Sequence, residues 1–461
     1  FINFIKDSQE NAWNKYLGKS KTQEPIMEFC GEFSNQIEKK GLLEVLRHGF
    51  TVYGVQFKAA YSLPESKLNP ESAALYNQNV CECYRQWYYS EKTTESVDMV
   101  LVLNGIPLFA FELKNQFTSQ AIKDAEDQWA NRYKEHELCF SFNRRILAFF
   151  AVDLTEAWMS TKPETRESFL PFNQGSNGAG NDGGKGNPQP QPGEFATAYL
   201  WKDIFQKDSM LHLVFRFINL EPGDSKKDEA KIIFPRYHQI DAVRKIIADV
   251  HKSGQGKNYL VQHSAGSGKS NTIGWLSYRL ATMFDEKGTE TYFRSVFVIT
   301  DRKVLDKNLR DTIGSFEHVK GFIEEIAENK KIKGYRDKGK DIAGVIKNGA
   351  RIIIVTLQTF AANYEKIVEY INTKDERFAV IVDEAHESQN GDSAEKLKKA
   401  LADTSLTAEQ QQEIETKIED DNEANNRLVK ELSEHGQHKN LYFFGFTATP
   451  KDATLRVFGT K

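Results

Sequence analysis

At 461 residues, with 39% hydrophobic and 27% charged side chains, the chain is too long for one ordinary core and has the composition of a globular protein of two or three domains. Its formal net charge of −4 excludes a uniformly basic nucleic-acid coat, so nucleic-acid contact must come from local grooves or from a metal that bridges carboxylate and phosphate. Apolar runs fall short of the ~20 residues a membrane span needs, no signal peptide is visible, and four cysteines (Cys30, Cys81, Cys83 and Cys139) make neither a disulfide framework nor a CxxC zinc spacing. These features predict a cytoplasmic protein with free thiols and no membrane partner.

The first informative stretch is SVDMVLVLNGIPLFAFELKNQ, residues 96–116. Asn104-Gly105 separates two apolar strands, a strong hairpin signal. Glu112 and Lys114 are two apart and share one face of the second strand. Burying each of these ions costs several kcal/mol, on the order of 2–5, before pairing is counted. Register decides whether Asp98 joins them. A two-residue turn pairs Asp98 with Phe111, on the opposite face from Glu112. A three-residue turn from Asn104 to Ile106, or an equivalent bulge, pairs Asp98 with Glu112. The longer turn or the bulge is expected if the two carboxylates share a function.

Two carboxylates and a lysine on one face suit Mg2+-dependent phosphodiester cleavage. Asp98 and Glu112 would bind the metal, which lowers the pKa of a bound water and neutralises the scissile phosphate. Lys114 would position or deprotonate that water, or stabilise the developing charge. A buried ion pair that sets register fits the same three residues equally well.

Residues 173–193, NQGSNGAGNDGGKGNPQPQPG, have no large apolar side chains and predict a flexible loop. A second polar stretch, 221–231, is the expected linker, which gives domains over 1–220 and 232–461. Beyond it NYLVQ, SVFVIT, RIIIVT, FAVIVDE and LYFFGFT alternate with helical segments, the pattern of a parallel sheet with crossover helices. The acidic stretch Ala402–His438 reads as a solvated helical excursion.

After the strand NYLVQ, HSAGSGKS places Gly266, Gly268, Lys269 and Ser270 at a helix start, the context of a phosphate-binding loop. Lys269 would reach the β/γ-phosphates and Ser270 would hold Mg2+; a chance glycine turn is the alternative. His263 stands where the motif usually has its first glycine. Asp383 and Glu384 end a strand, where one acid would bind Mg2+ and its neighbour would position the attacking water; a solvated acidic helix start fits them too. Thr447 and Thr449 end another strand and could equally be a helix cap. Arg236 and Gln239 precede the helix before the phosphate loop. The amide of Gln239 could pair with an adenine edge, although a surface glutamine is the simpler reading.

Taken together, HSAGSGKS, ITDRKVLDKNL, VTLQTF, DEAH and FTATP resemble motifs I, Ia, Ib, II and III of superfamily 2 helicase-like motors, over roughly residues 232–455. The resemblance implies ATP as cofactor and makes Arg302, Thr356 and Gln358 candidate contacts to the DNA backbone. It ends before the family's second lobe, which implies poor ATP hydrolysis by this fragment alone. VDMVLVLNGIPLFAFELKN is similar to the PD-(D/E)xK nuclease core of the R subunit of type I restriction enzymes, and DAEDQWANRYK resembles that family's glutamine–tyrosine helix. There Gln128 would contact DNA or orient the lysine. Tyr133 lies one residue beyond the usual QxxxY spacing.

The fold expected is α/β: a PD-(D/E)xK nuclease-like mixed-sheet domain, then the first RecA-like parallel-sheet P-loop lobe. The implied function is ATP-dependent translocation and Mg2+-dependent cleavage of double-stranded DNA, with methyltransferase and specificity subunits as partners. The alternative is a superfamily 2 helicase or remodeller whose N-terminal domain binds DNA without cutting it.

Overall fold

A computed structural model describes residues 1–90, 92–115, 120–133, 137–221, 223, 230–254, 257–264, 266–300, 309, 312–314, 322–326, 342–356, 360, 363, 367, 369, 376–383 and 440–448. Two compact units divide the chain, Phe1–Asp241 and Ala242–Lys461.

The first unit opens with four helices: α1 (Ile2–Ser8), α2 (Glu10–Leu17), α3 (Pro25–Lys40) and α4 (Leu42–His48). Phe29, Phe33 and Ile37 recur every fourth residue on α3 and form one buried stripe. They pack on the small ribbon β1 (Phe50–Val52) and β2 (Val55–Phe57), where ring centroids of Phe29 and Phe57 lie 4.9 Å apart. After α5 (Pro70–Asn77) comes a six-stranded sheet of β3 (Cys81–Tyr88), β4 (Ser96–Leu103), β5 (Ile106–Leu113), β6 (Ala148–Val152), β7 (Ala157–Ser160) and β8 (Leu170–Pro171), ordered 3-4-5-6-7-8. Every neighbouring pair is antiparallel except β5 and β6, so the sheet is mixed. Parallel strands need a crossover, and α6 (Ile122–Arg132) supplies it between β5 and β6.

One face of this sheet packs under α6, with Val100, Val102, Ala110 and Phe149 against Ala125 and Trp129. On other rows Phe109, Phe111 and Phe150 meet Phe205 at centroid distances of 5.4, 5.2 and 5.3 Å. A short helix α7 (Lys207–His212) and the ribbon β9 (Asn219–Glu221) with β10 (Lys231–Ile233) follow. Phe234 and Tyr237 then pack on Phe172 at 5.9 and 6.2 Å, which ties the residues after β10 to the first unit. Loop 173–193 carries its own hydrogen bonds: Gln174 N–H donates to Asn187 Oδ1 at 2.8 Å, and Asn187 Nδ2 to the Thr155 carbonyl at 2.8 Å.

The division between units falls within α8 (Tyr237–Ser253). The second unit is a six-stranded, all-parallel sheet. Its strands are β11 (Asn258–Gln262), β12 (Ser295–Thr300), β13 (Ile323–Ile326), β14 (Ile352–Thr356), β15 (Phe378–Val382) and β16 (Leu441–Thr447), in the order 11-16-15-12-14-13. Strands β12, β15 and β16 are buried along their whole length, as a sheet covered on both faces requires. Helix α9 (Lys269–Thr282) follows β11. No helix among the described residues is long and apolar enough to cross a membrane.

Candidate active sites

The turn between β4 and β5 has two residues, Asn104 (φ 51°) and Gly105 (φ 82°), the left-handed pair of a type I′ hairpin. Gly105 packs against Phe1 so closely that a Cβ would clash. Asn104 is buried, with Nδ2 donating to the Ala59 carbonyl at 3.0 Å and Oδ1 accepting from Val80 N–H at 2.7 Å. Leu103 pairs with Ile106 and Val102 with Pro107, but Leu101 pairs with Phe109 and Met99 with Phe111. Leu108 is thus the extra residue of a β-bulge, beside a proline that could not serve a regular central ladder. The bulge shifts the register by one residue. Continued by one pair, the ladder sets Asp98 opposite Glu112, which a two-residue turn alone could not do.

Asp98 is held from β5: Leu113 N–H donates to its Oδ2 at 2.8 Å. Glu112 is fully buried. Its Oε1 accepts from Arg132 Nη1 at 2.6 Å, and its Oε2 lies 3.9 Å from Lys114 Nζ. Oε2 is buried with no hydrogen-bond partner. Burial, and after it the neighbouring Asp98 charge, pushes the Glu112 carboxyl up to about 8, against the opposing pull of Arg132 and Lys114. Lys114, with only 8% of its side chain exposed, hydrogen-bonds through Nζ to Gln128 Oε1.

Gln128 and Arg132 are one turn apart on α6 and both reach β5. Trp129 locks the helix between them: it is fully buried, and its Nε1 donates to the Phe150 carbonyl at 3.0 Å. Tyr133 turns away into the aromatic cluster, 5.6 Å from Phe149 and 6.1 Å from Phe140. Arg132 escaped sequence reasoning. Its signal was its place four residues after Gln128, where the resemblance expected tyrosine.

An orphaned buried carboxylate oxygen beside a second carboxylate is a fitting environment for a hard divalent cation. Among the described residues no group of three or more His, Cys, Asp or Glu is arranged to hold a metal. Two carboxylates suffice for Mg2+, which commonly keeps water in its remaining positions.

In the second unit Gly266 (φ 74°) and Gly268 (φ 83°) both adopt left-handed backbone, and Lys269 begins α9. This is the strained turn that aims successive N–H groups at an anion at a helix start. Lys269 Nζ forms an ion pair at 3.1 Å with Asp383 Oδ1, just beyond the end of β15. The phosphate-contacting and Mg2+-binding candidates therefore share one site, which fits a nucleotide with its metal. His263, at the position of the missing glycine, is buried and bonds Ser267 Oγ through Nδ1 at 2.8 Å, while its N–H donates to the Thr447 carbonyl at 2.8 Å. It braces the loop from within. Ser270 is the second residue of α9.

Gln239, in the first unit, is buried rather than on the surface, and its Oε1 accepts from Arg236 N–H at 2.8 Å. A glutamine at the third helical position reaching back to the preceding N–H is half of a capping box, so α8 uses this amide structurally. Thr356 ends β14, paired with Thr300. Glu384, Arg302, Gln358 and Thr449 lie outside the described residues.

Two family models match the chain. Residues 12–168 match the type I restriction enzyme R protein N terminus, and residues 238–409 match the SWI2/SNF2 ATPase. Among curated relatives, the endonuclease subunits of type I restriction enzymes MjaVIIIP and MjaIXP of Methanocaldococcus jannaschii are 26% and 24% identical over 86% and 70% of this chain. The HindI endonuclease subunit of Haemophilus influenzae is 25% identical over 64%. The chain spans 37%, 30% and 26% of the length of these three relatives. The first model's range contains Asp98, Glu112, Lys114, Gln128 and Arg132, and the second contains Lys269 and Asp383. Two matches in this order, each covering its own site, together with these relatives support an R-type subunit of a type I restriction enzyme.

Proposed function

We propose that the first unit cleaves double-stranded DNA with Mg2+ and that the second is the first lobe of an ATP-driven DNA translocase. Both would act in a complex with methyltransferase and specificity subunits. The observation that carries this reading is the bulge at Leu108, which sets Asp98 against Glu112 and leaves a buried carboxylate oxygen without a donor.

Asp98 and Glu112 would hold Mg2+, which when bound acidifies water and neutralises phosphate charge. The chain's own residues do the rest. Lys114, aimed by Gln128 and desolvated, holds an ammonium where the attacking water and the developing phosphorane charge would lie. Arg132 offsets part of the charge of the two acids and fixes the Glu112 rotamer through Oε1, which keeps Oε2 for the cation. In the second unit Lys269 and Ser270 would take the nucleotide's phosphates and metal, Asp383 the same metal, and Glu384 the attacking water. Arg302, Thr356 and Gln358 would follow the DNA backbone.

The test is Asp98→Ala in the full R subunit, reconstituted with its partner subunits on supercoiled DNA. Lost cleavage with retained DNA-dependent ATPase is expected. Retention of both activities would favour a motor whose N-terminal domain only binds DNA.

A further inference from the structure

Only four non-glycine residues among those described have positive φ: Tyr53, Gln86, Asn104 and Asn143. Tyr53 and Asn104 sit in the two-residue turns that join β1 to β2 and β4 to β5, and Asn143 lies in a turn whose side chain accepts from Leu43 N–H. Gln86 is different. It lies inside β3, with φ 50°, while the ladder to β4 keeps one register on both sides: Arg85 pairs with Met99 and Trp87 with Val97. No residue is inserted there. The backbone is strained at one position, and the residue opposite that position is Asp98. Strain held inside an otherwise regular strand, away from any turn, is a feature that clusters at working sites.

The side chain shows what the strain achieves. Gln86 Nε2 donates to Asp98 Oδ1 at 3.3 Å, and its Oε1 accepts from Ser96 Oγ at 3.2 Å. The serine hydroxyl fixes which end of the amide faces the carboxylate. Asp98 Oδ2 is already engaged by Leu113 N–H, so its two oxygens are held from two different strands. The Ser96 carbonyl also accepts from Arg132 Nη1 at 2.7 Å, so the supports of Asp98 and of Glu112 meet on one residue. Gln86 is neutral, and this matters for its chemistry. Lysine or arginine would repel a cation, and a carboxylate would repel Asp98.

We infer that Gln86 is a positioning residue of the cleavage site, using its left-handed backbone to bring its amide onto Asp98 and hold that carboxylate where a divalent cation shared with Glu112 requires it. This rests on the Mg2+-dependent cleavage proposed above. From β3 it bonds Asp98 and Ser96, both on β4, and it touches Asp98 rather than the reacting atoms.

The test uses this chain carrying Asp383→Asn to remove the acid that would hold a cation at the nucleotide site, titrated with Mn2+ and followed by the paramagnetic resonance of the free ion. Asp98→Ala in that background defines the site. The expected result is that Gln86→Gly weakens Mn2+ binding about 10- to 100-fold, the usual effect of removing an outer-shell partner. Gln86→Asn, which tolerates the backbone and keeps a shorter amide, should fall between. Urea unfolding of Gln86→Gly should show a midpoint no lower than the parent's, because glycine relieves the positive φ. A purely structural glutamine would move the unfolding midpoint and leave Mn2+ affinity alone, and that result overturns the inference while leaving the cleavage reading intact. If Asp98→Ala leaves Mn2+ binding unchanged, the cleavage reading fails and this inference with it.

Discussion

Arg132 Nη1 lies 2.6 Å from Glu112 Oε1, and the same nitrogen donates 2.7 Å to the Ser96 carbonyl. One guanidinium thus joins α6 to a buried acid on β5 and to the start of β4. Removing it leaves Glu112 buried beside Asp98 with less compensation. Arg132→Met should lower the stability of the first unit by about 2 kcal/mol, within the usual range for a lost charged hydrogen bond. It should also move the alkaline-going limb of the cleavage pH profile upward, because the pull that lowers the Glu112 pKa is gone. Urea unfolding and cleavage rates from pH 6 to 9 check both.

The Glu112 carboxyl, at about 8 in the fold, stands above its ordinary value of 4.5. Between those values the native state holds a proton that the unfolded chain has released. Stability therefore falls as pH rises through this window, by up to about 1.4 kcal/mol per pH unit for one fully protonated site. Glu112→Gln should flatten that slope, and unfolding midpoints at pH 5, 6.5 and 8 measure it. Metal binding should in turn release close to one proton at pH 7, read from titration calorimetry in buffers of different ionisation enthalpy. Equal heats in all buffers would contradict the assignment of the cation to Glu112.

Trp129 is fully buried at the centre of α6, with its indole N–H on the Phe150 carbonyl. Truncation to alanine should cost about 3–5 kcal/mol. Trp129→Phe should cost less while still loosening the helix that carries Gln128 and Arg132. Expected is a loss of Mn2+ affinity in Trp129→Phe without loss of the folded far-ultraviolet dichroism.

Lys269 and Asp383 meet at 3.1 Å in the second unit, each largely buried. Lys269→Ala should abolish the thermal stabilisation that Mg2+-ATP confers, which at 100 times Kd amounts to about 2.7 kcal/mol for a single site. The unfolding of the first unit should be unaffected. Calorimetric scans with and without nucleotide distinguish the two units, and undiminished stabilisation in the variant would remove Lys269 from the phosphate site.

Much of this was written locally in the chain. Apolar runs alternating with helical segments predict the parallel sheet of the second unit, because βα alternation is a short-range property, whereas the mixed sheet of the first was implied by the nuclease resemblance. Asn104-Gly105 specifies its turn, and Gly266 with Gly268 specifies the phosphate loop, because only residues tolerant of left-handed backbone fit there. The facing of Asp98 and Glu112 was not decided locally. Side chains alternate along a strand, so one inserted residue reverses every face, and the bulge at Leu108 depends on both neighbouring ladders and the helix above them. The same holds for Arg132, which needs α6 laid across β5 before it can find Glu112, and for Gln86, which meets Asp98 only because β3 pairs with β4. Chain chemistry selected the residues of the site, and long-range packing selected which of their side chains meet.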